Sequence, residues 1–209
     1  MEDATHTDAQ RPRPRTGRPP LSEQSKAATR LRIAHEAVRL FTAQGVAKTS
    51  SAEIARAADI SPRTLWRYFS AKEECVSPLL SAGVEALVTA LRDRTPGQVF
   101  SEALRSLSVE RSGNSWAIVQ LVRLTRTEPG VRSVWVRTHL DAEPLIAEVI
   151  ALRIGASPED LRPRVQAAVL NVALRAAVED FAWHPRDDGR SLDDTVREAL
   201  AIAAEGLSD

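Results

Sequence analysis

The segment ISPRTLWRYFSAKEEC, residues 60–75, gathers three of the chain's nine aromatic residues within four positions and sets cations among them. Arg63, Thr64, Trp66, Arg67, Tyr68 and Lys72 are side chains suited to a nucleic acid. An arginine can fork onto the edge of a guanine, and a threonine can meet a thymine methyl. A tyrosine hydroxyl or an indole N–H can donate to a phosphate oxygen, and a lysine adds a charge near the backbone. If Leu65 and Phe69, four apart, take the inner side of a helix, then Arg63, Thr64, Arg67 and Tyr68 fall outward or on its flanks, with Trp66 to one side. Phe69 is then the one aromatic of the three that serves the core.

Such a surface needs a short helix held rigidly by others. Ser61-Pro62 supplies an N-cap followed by the helical position that tolerates proline, so a brief helix is expected over roughly 62–69. Upstream, in TSSAEIARAADI, Ser50 and Glu53 have the spacing of a capping box, and Ile54, Ala55 and Ala58 face inward. Earlier still, from Ser25, the residues Ile33, Ala37, Leu40 and Phe41 recur on one face until Gly45 ends the helix. Three helices in about 45 residues, the last two joined by the tight link Ala58-Asp59-Ile60, are the plan of a helix-turn-helix.

A long helix is expected from near Lys72 towards Arg92, ending at the break Thr95-Pro96-Gly97. Further helices fall near 98–110, 114–127, 130–153, 158–184 and 191–206, punctuated by proline and glycine. Pro144 predicts a kink or break in the third of these, and Pro163 marks the true first turn of the long helix after it. Alanine, leucine, arginine and glutamate dominate, and the expected class is all-α.

The formal net charge of zero hides an asymmetry: residues 1–72 hold 13 Lys/Arg against 7 Asp/Glu, and residues 73–209 hold 15 against 21. A basic end joined to an acidic remainder fits one end that meets a polyanion. Residues 1–24 read as a disordered basic arm, because RPRPRTGRPP carries four arginines and four prolines and no acid. Such an arm is suited to the minor groove beside the main contact.

Cys75 is the only cysteine, so no intramolecular disulfide can form and a reducing compartment fits. No unbroken run of 18 apolar residues occurs, and MEDATHTDAQ has no apolar core of a secretory signal. A cytoplasmic protein is expected, with no membrane partner. His6, His35, His139 and His184 show no i, i+4 or HExxH spacing, and no glycine elbow, phosphate loop or Ser-His-Asp order is present. Neither an enzyme nor a metal or cofactor site is expected.

The stretch TSSAEIARAADISPRTLWRYFSAKEE resembles the DNA-binding domain of TetR-family transcriptional regulators. There, a Thr/Ser-capped helix with an Ile-Ala pair precedes a turn, an aromatic-x-aromatic-Phe helix and Lys-Glu/Asp. The resemblance implies an N-terminal helix-turn-helix domain over 25–72 and a larger helical ligand-binding and dimerisation domain over 73–209. It maps Thr49, Ser50, Thr64, Trp66, Tyr68 and Lys72 onto positions that commonly touch DNA. Arg63 and Arg67 stand at more variable positions and would carry sequence preference. Trp66 departs from the Tyr or Phe more usual there, and an indole can only donate. The resemblance also implies a homodimer on a palindromic operator of double-stranded DNA, most often a repressor released by a small-molecule effector. A ligand-independent or activating regulator is the alternative.

Residues 163–183 carry two apolar faces: Val165, Ala168/Val169, Val172 and Ala176 on one, Leu170, Leu174, Ala177 and Phe181 on the other. The last helix adds Leu192, Val196, Leu200 and Ala203. A helix apolar on most sides needs partners on most sides, either within the chain or, as the resemblance implies, in a symmetry mate. By the same resemblance a pocket lies in this domain, with Trp116, Gln120, Trp135, His139, Asn171 and Arg175 as candidate lining groups. Each has a plainer reading: the tryptophans as core, Asn171 and Arg175 bonded to one another, His139 satisfied or partly exposed.

Overall fold

A computed structural model of the chain describes residues 22–92, 108, 110, 113–185 and 189–205. Among these residues the regular structure is entirely helical: α1 Glu23–Gln44, α2 Ser51–Ala57, α3 Pro62–Tyr68, α4 Ser77–Arg92, α5 Ser115–Leu124, α6 Pro129–Ile154, α7 Leu161–Trp183 and α8 Leu192–Glu205, with a 3₁₀ turn, Glu73–Val76, before α4. The arginine-rich arm and most of the helix expected near 98–110 lie outside the described residues.

The first three helices form the head. α1 begins two residues before the expected Ser25, because the Ser22 side chain accepts the Ser25 amide and caps the helix there. It buries Ile33, Ala34, Ala37, Val38 and Phe41. Gly45 stops it at φ 86°, a left-handed backbone that a side chain would disfavour. α2 opens on the expected capping box: the Ser50 side chain accepts the Glu53 amide, and Glu53 Oε2 accepts the Ser50 amide at 2.8 Å. α3 opens on Ser61, whose hydroxyl oxygen accepts the Thr64 amide at 3.1 Å, with proline in its first turn.

The link between α2 and α3 is a Schellman turn. The Ile60 amide donates to the Ala55 carbonyl at 2.9 Å and the Asp59 amide to that of Arg56 at 3.1 Å. Asp59 sits at φ 51° in the position glycine usually takes. This turn sets the angle between α2 and α3 and so the exposure of α3.

The expected continuous helix from Lys72 is instead a 3₁₀ turn followed by α4. Pro78 explains the change: it has no N–H to continue an α-helical ladder, and its ring would collide with the carbonyl four residues earlier. Glu73–Arg92 is long enough to cross a membrane, and its mean hydropathy reaches 1.4 over an 18-residue window. Its Leu79, Leu87 and Leu91 are buried inside the fold, however, so it serves as a core helix.

α4 packs on α1 and α6, α6 on α7, and α7 on α5 and α8. The buried apolar side chains form one continuous cluster from Ile33 to Ala204, so head and body share a core through Cys75, Val76 and Leu79. Burial pushes the Cys75 thiol up to about 12. Of the kink or break expected at Pro144, a break does not occur: α6 continues through it. Pro144 and Leu140 are both exposed, so the carbonyl that loses its donor lies on the wet side of the helix, where water can serve it. Pro163 falls in the first turn of α7, as its position predicts.

Candidate nucleic-acid interface

α3 is held by its inner side alone. Leu65 is fully buried and Phe69 nearly so, while Arg63, Trp66 and Arg67 are exposed, Trp66 at 49 %. Thr64 is half-buried, its hydroxyl 2.9 Å from that of Ser61. Arg63 and Arg67 form no ion pair with acids among the described residues, nor do the exposed Lys48 and Arg56 on the preceding loop and α2. Lys48 and Arg56 do not stand out in the sequence, since nothing local separates a cation facing a ligand from one facing solvent.

Of the outward or flanking positions expected for it, Tyr68 takes a flank. It is half-buried, packs against the core beside Phe69, and has the Arg67 guanidinium 5.2 Å and the Arg30 guanidinium 5.7 Å from its ring centroid. Arginines over an aromatic face are attracted by the ring quadrupole, so Tyr68 orients Arg67. Arg30, on α1, gives no local signal of this role.

Thr49 and Lys72 take supporting places. Thr49 is 1 % exposed, and its hydroxyl donates to the Gly45 carbonyl at 2.8 Å while Gln44 Nε2 lies 3.3 Å away. Lys72 Nζ donates to the carbonyls of Val46 at 2.6 Å and Thr49 at 2.9 Å. Together they tie the α1–α2 loop to the turn that follows α3. Ser50 remains exposed, its hydroxyl within the capping box.

In the body, four of the six pocket candidates meet in one network between α6 and α7. His139 Nδ1 lies 2.7 Å from Asn171 Oδ1, and Asn171 Nδ2 donates to the His139 carbonyl at 2.8 Å and to Glu143 Oε1 at 3.1 Å. Trp135 Nε1 donates to Glu179 Oε1 at 2.8 Å, and Arg175 Nη1 to the same oxygen at 3.3 Å. Asn171 and Arg175 therefore bond other partners rather than each other. The Trp135 and His139 rings meet edge-on with centroids 4.2 Å apart.

Because the amide nitrogen of Asn171 is committed as a donor, its oxygen accepts, which assigns the proton to His139 Nδ1. His139 Nε2 is buried with no hydrogen-bond partner. Burial holds the imidazole below its ordinary pKa. Trp116, 60 % exposed at the start of α5, and the half-buried Gln120 do not join the network. A separate cleft of about 860 Å³ lies between head and body, walled by α1, α4 and α6, and none of the six candidates lines it.

A capped helix, a Schellman turn and a second helix whose cations face outward define a helix-turn-helix DNA-binding protein. Comparison with known proteins refines the class. The family model for bacterial regulatory proteins of the tetR family matches residues 33–78, and the MftR C-terminal domain model matches residues 94–208. The chain is 32 % identical to the HTH-type transcriptional regulator TcmR of Streptomyces glaucescens over 99 % of this chain and 93 % of that one. It is 28 % identical to the mycofactocin biosynthesis transcriptional regulator MftR of Mycobacterium tuberculosis over 87 % of this chain and 92 % of the relative. Among solved structures, Thermus thermophilus FadR, a TetR-family repressor in complex with lauroyl-CoA, shares the fold at a TM-score of 0.52 and 24 % identity, covering 85 % of this chain and 94 % of that one. The chain belongs to the TetR family of transcriptional regulators. These relatives are regulators rather than enzymes.

Proposed function

We propose that the protein is a homodimeric repressor that grips a palindromic operator with two copies of α3 and is released by a small-molecule effector in the body. It acts in the cytoplasm, where that DNA lies. The observation that carries the reading is an uncovered apolar face. On α7, Leu161 is 73 %, Val165 47 % and Val172 48 % exposed, while Leu170, Leu174 and Ala177 on its other side are buried. On α8, Ile202 is 63 % exposed on the side turned away from the buried Val196 and Leu200. A long helix with one apolar side in the core and a second in water fits a partner helix on that second side. A twofold dimer places two recognition helices at a fixed separation, which is how a palindrome is read.

Residues 25–72 serve as the DNA-binding domain and 73–209 as the ligand-binding and dimerisation domain. Arg63, Thr64, Trp66, Arg67 and Tyr68 contact DNA, with Ser50 at the foot of α2. Thr49 and Lys72 hold the loop beneath them. The α6–α7 network of Trp135, His139, Asn171 and Arg175 is the polar part of the effector region, supported by the unpartnered His139 Nε2. The repressor FadR, a protein of the same fold in complex with lauroyl-CoA, supports this reading.

An effector releases DNA only if it favours one spacing of the heads over the other. Selection of bound sequences from random duplex DNA tests the operator claim, with an inverted repeat of fixed spacing expected. Sedimentation of the purified chain tests the dimer. A monomer at micromolar concentration, or a selected site with no inverted symmetry, refutes the reading.

A further inference from the structure

The carboxylate of Glu74 joins head to body. Its Oε2 accepts the Ser70 backbone amide at 3.0 Å and the Ser70 hydroxyl, and Ser70 lies just past the end of α3. Its Oε1 accepts Arg137 Nη2 at 2.9 Å from α6. Each oxygen thus serves a different part of the molecule. The Ser70 hydroxyl, with help from its amide and from Arg137, holds the Glu74 carboxyl below the usual carboxylate range.

The same face of α6 touches the 3₁₀ turn at a second point, seven residues away. A Cβ on Gly130 would lie 2.8 Å from Glu73 Cγ, so α6 comes this close because position 130 has no side chain. Glu74 and Arg137 both line the open cleft between head and body, so a polar pair crosses a gap that apolar packing does not fill. Neighbouring positions on α6, Trp135 and His139, are bonded to α7. α6 is therefore bonded to α7 on one side and, through Arg137 and Glu74, to Ser70 on the other.

We propose that Arg137 and Glu74 are positioning residues for DNA binding: their ion pair sets the tilt of α3 relative to the body without itself touching DNA. The inference rests on the DNA-binding reading above. A solvated pair of this kind contributes at most about 1 kcal/mol, which corresponds to roughly a fivefold change in binding.

The test uses the full chain and the tightest duplex recovered by selection from the random pool. Arg137→Ala should weaken binding about three- to fivefold, with Tm lowered by no more than about 2–4 °C and an unchanged dependence of affinity on salt. It should also narrow the preference for the native half-site spacing over a spacing longer by about one base pair. Arg137→Lys should restore most of the loss. Glu74→Gln combined with Arg137→Ala should bind no more weakly than the worse single variant, the mark of one shared interaction.

Unchanged affinity in Arg137→Ala, additive losses in the double variant, or an intact spacing preference would overturn the proposal. So would a salt slope smaller by about one phosphate contact, since Arg137 would then touch DNA directly. A wild-type chain that binds no duplex brings down the DNA-binding reading as well, whereas tight wild-type binding with a silent Arg137→Ala sinks this inference alone.

Discussion

Replacing Lys72 by methionine keeps most of the apolar stem of the side chain and removes its ammonium. In the structure that ammonium donates to two carbonyls, Val46 O at 2.6 Å and Thr49 O at 2.9 Å, and so pins the α1–α2 loop to the turn after α3. A hydrogen bond to a charged group contributes about 1.5–3 kcal/mol. Lys72 is half-buried, so water can reach part of the site, and a total loss of about 2 kcal/mol is the reasonable expectation for both bonds together. For a chain of this size that lowers Tm by about 4–8 °C. Operator affinity should fall with it, because the N-terminal end of α2 and its capping box hang from this loop. Its salt dependence should not change, because no phosphate contact is lost. Thermal melting followed by calorimetry, with binding titrated across several salt concentrations, measures both. The contrary result is specific: an unchanged Tm with a salt slope reduced by about one contact would make Lys72 a phosphate ligand and refute the tether.

Asp59→Val puts a β-branched side chain at φ 51° and should cost about 1–2 kcal/mol, read as a lower Tm with weakened DNA binding. Asp59→Gly should leave binding intact and melt no lower. Val172→Asp buries a charge in the proposed α7 interface and should turn the dimer into a monomer by sedimentation, with a loss of operator affinity of at least about tenfold. His139 is held below its ordinary pKa, so the folded state binds fewer protons than the unfolded state on the acid side of pH ~6.5. Its contribution is complete above that pH and is lost as pH falls through the depressed folded value. Melting temperatures measured from pH 8 to 5 should fall, and His139→Gln should flatten the decline.

The head was legible in the sequence because its signals are local. A capping box spans four residues, an N-cap with proline spans two, and the apolar spacing of α1 repeats within one helix. Each is satisfied by neighbours along the chain, and α2 and α3 follow with little shift in their ends. The roles of Thr49, Tyr68 and Lys72 were less legible. Lys72 reaches carbonyls 23 and 26 residues away, and Tyr68 meets Arg30 from another helix. Spacing along one helix does not encode such partners. The 3₁₀ turn before α4 had a local cause in Pro78, which the apolar period of the following leucines masked.

In the body, the residue types marked the α6–α7 region as polar, but pairing was decided across the helix interface. Asn171 and Arg175, four apart on one helix, are each drawn to other groups: the amide to His139 and Glu143 on α6, the guanidinium to Glu179 one turn further along α7. Of the kink or break that Pro144 predicted, the break did not occur, because whether a lost backbone bond breaks a helix depends on which side of it faces water.

By itself, then, the sequence determined the helical class, the capped helix-turn-helix and the cationic outer side of α3, since periodicity and capping act over a few residues. Tertiary structure alone decided which of those cations stay free, which are turned to holding loops together, and which apolar side of α7 is left uncovered. Those outcomes depend on contacts between residues far apart in the chain, and no local pattern contains them.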